Sequence, residues 1–312
     1  MIGAMVLITS GLLVLVVGHI PLQRVSRPDR DPRAAIVAWI LALAGASGSI
    51  ATGVAMLVLP SHAGVLGLLS KAGNCLTHLG HEGLPSYEET IGVLGVVAVG
   101  GAVVRVTIVS ARLATARRRK SNHHRFLIGL ISHDRNNEDG LVWLENDALL
   151  AYSVSGRPGL VIASSGVRQR LDPNAISATL EHERAHLRGH HHVLLAVADS
   201  LAMALPFAPL LRRAPVSLRV LVEYAADTAA AERCGTLAVR SALLSFAGSP
   251  VPHHGLAMTG ASIVHRLDRL GTAGASSAPR RTVTCGIAGA AAVLVPIAVS
   301  AAAFLVVACP VG

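Results

Sequence analysis

Apolar residues fall in long unbroken runs at both ends of this chain and in a mixed, shorter-period pattern in its middle. Residues 2–20, 34–59 and 91–110 are each apolar over about the 20 residues that a helix needs to cross a bilayer, and 283–309 forms a fourth such run with Pro296 inside it. No basic stretch precedes the first run and no small-residue cleavage site follows it, so it predicts a retained helix and not a removed leader. Gly45, Ser49 and Gly53 put small residues on one face of the second run, which suits close helix packing in lipid. Arg105, near the end of the third run, is expected to snorkel to the interface.

Between the runs the pattern changes. Residues 60–90 are polar and loop-like, and their histidines His62, His78 and His81 with Cys75 match no metal-site spacing. From Phe126 to Thr282 apolar and polar residues mix. Leu141–Trp143, Leu149–Val154 and Leu160–Ala163 read as short strands, with a turn at Gly156–Gly159. Asp172 is a good N-cap, Pro173 suits the first helical position and nothing interrupts the helix until Gly189. Residues 193–211 are apolar but interrupted by Asp199, Pro206 and Pro209. A helical hairpin, or a helix lying on the membrane, is expected there and not a span. The fold class predicted is thus a mainly α membrane protein: four transmembrane helices, with an α+β domain between the third and fourth. Its parts are 1–111 with three spans, 112–282 with the membrane-associated segment 193–211, and 283–312 with the last span.

Composition strengthens the membrane reading: 52% of the residues are hydrophobic and 14% charged, with a mean hydropathy of +0.56. The formal charge of +9 does not point to nucleic acid, because the basic residues cluster beside the apolar runs with almost no aromatics among them. They act instead as topology signals. Arg24, Arg27, Arg30 and Arg33 follow the first run, and Arg112, Arg117, Arg118, Arg119, Lys120 and Arg125 follow the third. The positive-inside rule places both loops in the cytoplasm, residues 60–90 outside, and the segment after residue 111 at the cytoplasmic face of the plasma membrane. The four cysteines, Cys75, Cys234, Cys285 and Cys309, form no C-x-x-C pair and predict no structural zinc site.

The chemistry concentrates in the helix opened by Asp172. His182-Glu183-Arg184-Ala185-His186 is an H-E-x-x-H motif. Its two imidazoles lie one turn apart, where both can grip one zinc ion, and Glu183 is placed to act as a general base. A catalytic site needs a third protein ligand. Glu223 in a later helix, expected to be capped by Ser217 and ended by Gly235, is one candidate; Asp227 on the same face would hold a ligand histidine in its tautomer. His192 is the other, because residues 182–192 also spell H-E-x-x-H-x-x-G-x-x-H. Glu223 is favoured: neither Met203 nor Met258 lies in a recognisable methionine turn, His192 belongs to the run His190–His192, and Glu223 falls on the same side of the membrane as His182. His254, His265 and Arg266 are candidate oxyanion donors.

Glu-His-Glu-Arg-Ala-His-Leu-Arg, preceded by Leu160–Gly166 and followed by an apolar stretch and Glu223-x-x-x-Asp227, resembles the membrane gluzincins. The likeness extends to the HtpX and CaaX-protease group and, closer, to the BlaR/MecR antirepressor metallopeptidases. It implies zinc held by His182, His186 and Glu223, Glu183 as base, and a cytoplasmic protein substrate of the helix-turn-helix repressor type. The β-lactam sensors of that group carry an extracellular penicillin-binding domain. This sequence carries no S-x-x-K or K-T-G element, so no built-in antibiotic sensor is expected. The function expected is an integral-membrane zinc endopeptidase of a signalling pathway. A membrane quality-control protease and a non-catalytic metal-dependent receptor are the alternatives.

Overall fold

The computed structural model describes residues 2–26, 31–58, 87–131, 140–247 and 260–273. The apolar run 283–309, the polar segment up to residue 86 and His254 lie outside them. The described residues are mostly helical, with one small sheet. The N-terminal run forms α1 (Ile2–Val17) and, past Gly18, the short α2 (His19–Val25). The 16 residues of α1 rise about 24 Å, less than the ~30 Å of a hydrocarbon core. Among the described residues, two helices are long and apolar enough to cross a membrane: α3 (Pro32–Val58) and α4 (Tyr87–Ile131), whose apolar portion lies within Leu94–His123. α4 runs well past the expected 91–110 because no Gly or Pro stands between residues 102 and 128 to stop it.

Small residues bring α1 and α3 together. A Cβ on Gly53 would stand 2.7 Å from Ile8 Cγ1 and 2.8 Å from the Ala4 carbonyl oxygen, and one on Gly11 2.9 Å from the Ala46 carbonyl oxygen. Ser49 is buried on the same face. α4 instead leaves Leu94, Val97, Val103 and Val104 exposed, the surface that a helix in lipid presents.

The sheet holds β1 (Leu141–Leu144), β2 (Ala151–Val154) and β3 (Leu160–Ser164) in the order β1-β3-β2; β3 is parallel to β1 and antiparallel to β2, so β2 is an edge. The short α5 (Ser165–Arg170) leads into α6 (Pro173–Arg188), which carries the H-E-x-x-H motif. Its N-terminus forms as its residues dictate: Asp172 Oδ1 accepts from the backbone N–H of Asn174 and Ala175, each at 3.0 Å, and Pro173 follows. One face of α6 packs Leu180 and Leu187 on Val161 and Ala163 of the sheet.

The segment 193–211, expected as a helical hairpin or a helix lying on the membrane, holds most of α7 (His191–Ala204), a turn and the start of α8 (Pro209–Cys234), and the two helices pack on each other. α8 begins well before Ser217, which is therefore internal and not a cap; Pro209 occupies its first turn and Pro215 lies inside. Packing explains the extension. Leu210, Ala214, Leu218 and Leu221 share one buried cluster with Ala35, Ala38, Trp39 and Ala42 of α3, and that burial outweighs the backbone hydrogen bond lost at Pro215. Gly235 ends the helix at φ 88° as expected. α9 (Thr236–Ala247) and α10 (Gly260–Ala273) complete the described elements.

Polar ties fasten this unit to the apolar helices. Arg105 Nε donates to the Ala204 carbonyl at 2.5 Å, capping the C-terminus of α7. Asp199 of α7 accepts from Arg117 of α4 and Arg219 of α8, each at 2.6 Å, and Arg33 of α3 meets Glu232 of α8 at 3.2 Å.

Candidate metal centre

Two helices build the site. α6 presents His182 and His186, α8 presents Glu223 and Asp227, and alanines at the contact, Ala178 and Ala230 among them, keep the helices close. The His182 and His186 Nε2 atoms lie 3.1 Å apart. Glu223 reaches both with a different oxygen, Oε2 to His182 Nε2 and Oε1 to His186 Nε2, each at 3.5 Å. This enclosed group of three donors could hold a metal ion. His192 does not join it; its Nε2 turns to the Ser153 hydroxyl on β2 at 3.2 Å.

Asp227 stands behind His182 and is 1% exposed. Its Oδ1 accepts from His182 Nδ1 at 3.0 Å, which leaves the other ring nitrogen of His182 facing Glu223. Arg266 enters from α10, buried to 2% exposure. It donates through Nε to Asp227 Oδ2 at 2.7 Å and through Nη2 to Oδ1, and its Nη1 is 3.2 Å from Glu223 Oε2. Among the candidate oxyanion donors Arg266 is thus inside the site, where it braces both carboxylates; His265 is exposed, and His254 lies outside the described residues.

Close contact of so many charges moves their protonation. Burial alone would lower the His182 pKa, but the hydrogen bonds it donates to Asp227 and Glu223 outweigh it and raise the value to about 10. His186 moves the other way, to about 3, through burial and the neighbouring His182 charge. Burial opposes ionisation of Glu223, yet His182 and Arg266 hold its carboxyl down at about 2. Asp227 is likewise lowered, with burial overcome by Arg266 and His182. Glu183 behaves differently: burial raises its pKa, against the His182 charge and a hydrogen bond from Ser153.

Glu183 and His182 border a pocket of about 70 Å³ whose other walls are mostly apolar, from Ala151 of β2, Val239, Leu243 and Phe246 of α9, and Ala178 of α6. The edge strand β2 runs beside α6 at this pocket. One contributor escaped the sequence reading, which weighs only His192 of the run His190–His192. His191 is buried, with its Nδ1 2.9 Å from His186 Nδ1. No local signal sets it apart from His190 and His192, since the backbone reversal at His190 is what turns it toward His186.

No family model, no curated protein and no solved structure matches this chain.

Proposed function

We propose that this chain is an integral-membrane zinc endopeptidase that cleaves a cytoplasmic regulatory protein. The observation that carries the reading is the convergence of His182, His186 and Glu223 on one point with Glu183 beside it. Two imidazoles and a carboxylate are the donor set of a catalytic zinc site. Zinc–ligand bonds of about 2.0–2.1 Å in a tetrahedron set donors roughly 3.3–3.4 Å apart; the observed separations are 3.1, 3.5 and 3.5 Å. Three protein ligands leave a fourth position for water, and zinc bound there would lower that water's pKa toward about 7 and polarise a peptide carbonyl.

The chain's own groups supply the rest. Glu183, with its pKa raised, is suited to take a proton from the attacking water and return it to the leaving amine. Asp227 orients His182, while Arg266 neutralises the charge that Asp227 and Glu223 bring into the site. The edge of β2 suits an extended substrate backbone, and the apolar pocket beside Glu183 suits an apolar side chain of that substrate.

α3 and α4 serve as two spans and the apolar run 283–309 as a third, while the run 2–20, whose α1 is shorter than the hydrocarbon core, crosses with local thinning of the bilayer. The basic ends of these helices support a cytoplasmic site, since Arg33 and Arg117 both bind the metal-site unit there. The likeness of the motif region to the BlaR/MecR metallopeptidases supports a repressor-like substrate. Glu183→Gln is the test: it should retain zinc and lose about 10²–10⁴-fold in peptide-bond cleavage. Cleavage at the wild-type rate by the zinc-loaded variant would show that Glu183 is not the base. A phenotype intact in Glu183→Gln but lost in His182→Ala would instead identify a non-catalytic receptor.

A further inference from the structure

The break between α6 and α7 seats one side chain. α6 stops at Gly189, His190 takes a left-handed backbone (φ 49°, ψ 34°), and a new helix starts at His191. A residue with a side chain seldom adopts that conformation, so something must hold it. The reversal folds the His191 ring under the last turn of α6, edge to face with His186: ring centroids are 5.0 Å apart and the planes meet at 83°. Gly189 leaves the room for it, since a Cβ there would stand 2.7 Å from His191 Cδ2 and closer still to Nε2. His191 is 8% exposed, and its Nδ1 is 2.9 Å from His186 Nδ1.

We infer that His191 is the positioning residue for His186, holding it by accepting a hydrogen bond from its Nδ1. The inference rests on the reading of His182, His186 and Glu223 as a metal centre. Only one proton fits between two ring nitrogens at this distance. If His191 supplied it, neutral His186 would carry its own proton on Nε2, the atom that faces His182 and Glu223, and would have no lone pair for a metal. Metal binding through Nε2 therefore requires that His186 donate and His191 accept, with the His191 proton on Nε2. Each histidine ligand then has its own partner behind it, Asp227 for His182 and His191 for His186. A neutral acceptor there adds no charge to a site that already holds Glu223, Asp227 and Arg266.

The test uses the full chain in detergent, with zinc affinity measured by chelator competition and ¹⁵N spectra of labelled histidines in the zinc-loaded state. His191→Leu removes the acceptor, whereas His191→Asn restores one, because Asn Oδ1 and His Nδ1 are both two bonds from Cβ. His191→Leu should weaken zinc binding roughly 10–100-fold, while His191→Asn retains most of the affinity. The spectra should show His186 protonated on Nδ1 and His191 on Nε2, with the His186 Nδ1–H signal kept in His191→Asn. Zinc binding by His191→Leu at wild-type strength overturns the inference and leaves the metal centre standing. So does an equal loss in His191→Asn, which would mean that the ring only fills space. A wild-type chain that binds no zinc overturns both. If His191→Leu fails to fold, the wild-type spectrum decides, since a His191 protonated on Nδ1 excludes the assigned role.

Discussion

Asp227 concentrates two demands on one carboxylate, so replacing it with asparagine perturbs stability and metal binding by separable routes. Oδ1 accepts from His182 Nδ1 at 3.0 Å and Oδ2 from Arg266 Nε at 2.7 Å. An amide supplies only one oxygen. If its NH₂ replaces Oδ2, it meets the Arg266 N–H donor against donor. If it replaces Oδ1, it faces His182 Nδ1, forces the proton of a neutral imidazole to the other nitrogen and spoils that nitrogen as a ligand. In either case Arg266, 2% exposed, loses a full counter-charge. Breaking a buried ion pair costs about 3–5 kcal/mol, and the lower end applies because Glu223 remains 3.2 Å from Nη1. Loss of the support to His182 should weaken zinc about 10–100-fold. The assays are denaturant unfolding of the metal-free protein in detergent and chelator competition for zinc. Adding Arg266→Met removes one of the two charges that Asp227 balanced, the other being His182, protonated without metal, so Asp227→Asn/Arg266→Met should recover part of the stability while zinc affinity stays low. A single variant with unchanged stability, or a double variant that regains zinc affinity as well, would refute the reasoning.

Three further outcomes follow from the protonation states and from the helix contact. At pH 6 the metal-free site holds His182 protonated, His186 neutral and Glu223 ionised, so zinc should displace one proton from its ligands and bind tighter as pH rises. Calorimetry in buffers of differing ionisation enthalpy measures this, and zero protons released would show that His182 is neutral without metal. The same raised pKa, from 6.5 to about 10, stabilises the metal-free fold fully below pH 6.5; that contribution should fade as pH climbs toward 10, as unfolding free energy across this window would report. At the contact of α1 and α3, Gly53→Ala drives a Cβ to 2.8 Å from the Ala4 carbonyl oxygen and should cost about 1–3 kcal/mol. Gly48→Ala, whose Cβ meets nothing within 4 Å, is its clash-free control in the same unfolding measurement and should stabilise by about 0.5–1 kcal/mol through helix propensity.

Much of the local architecture can be read along the chain, because the signals act within a turn or two. Asp172, Pro173 and Gly189 bound α6, the three short β runs become β1, β2 and β3, and the i, i+4 spacing alone puts His182 and His186 on one face. Local signals misled where packing opposed them. Ser217 looked like a cap, but the apolar residues from Leu210 onward gain more by lying on Trp39 and Ala42, so α8 starts earlier and runs through Pro215.

What only the tertiary structure decided is which distant groups meet. Glu223 reaches the histidine pair because α8 is clamped to α6 through alanines, whereas His192 is turned toward Ser153 by the new helix that begins after His190. Arg266 stands 39 residues from Asp227 in sequence yet binds it with its charge withdrawn from water, a pairing that spacing could not reveal. His191 differs from its neighbours His190 and His192 only through the backbone reversal that aims it at His186. The motif thus fixes two histidine donors and the neighbouring Glu183 through helical periodicity, while the third donor and the groups that hold the histidines depend on long-range packing of residues whose local preferences do not specify their partners.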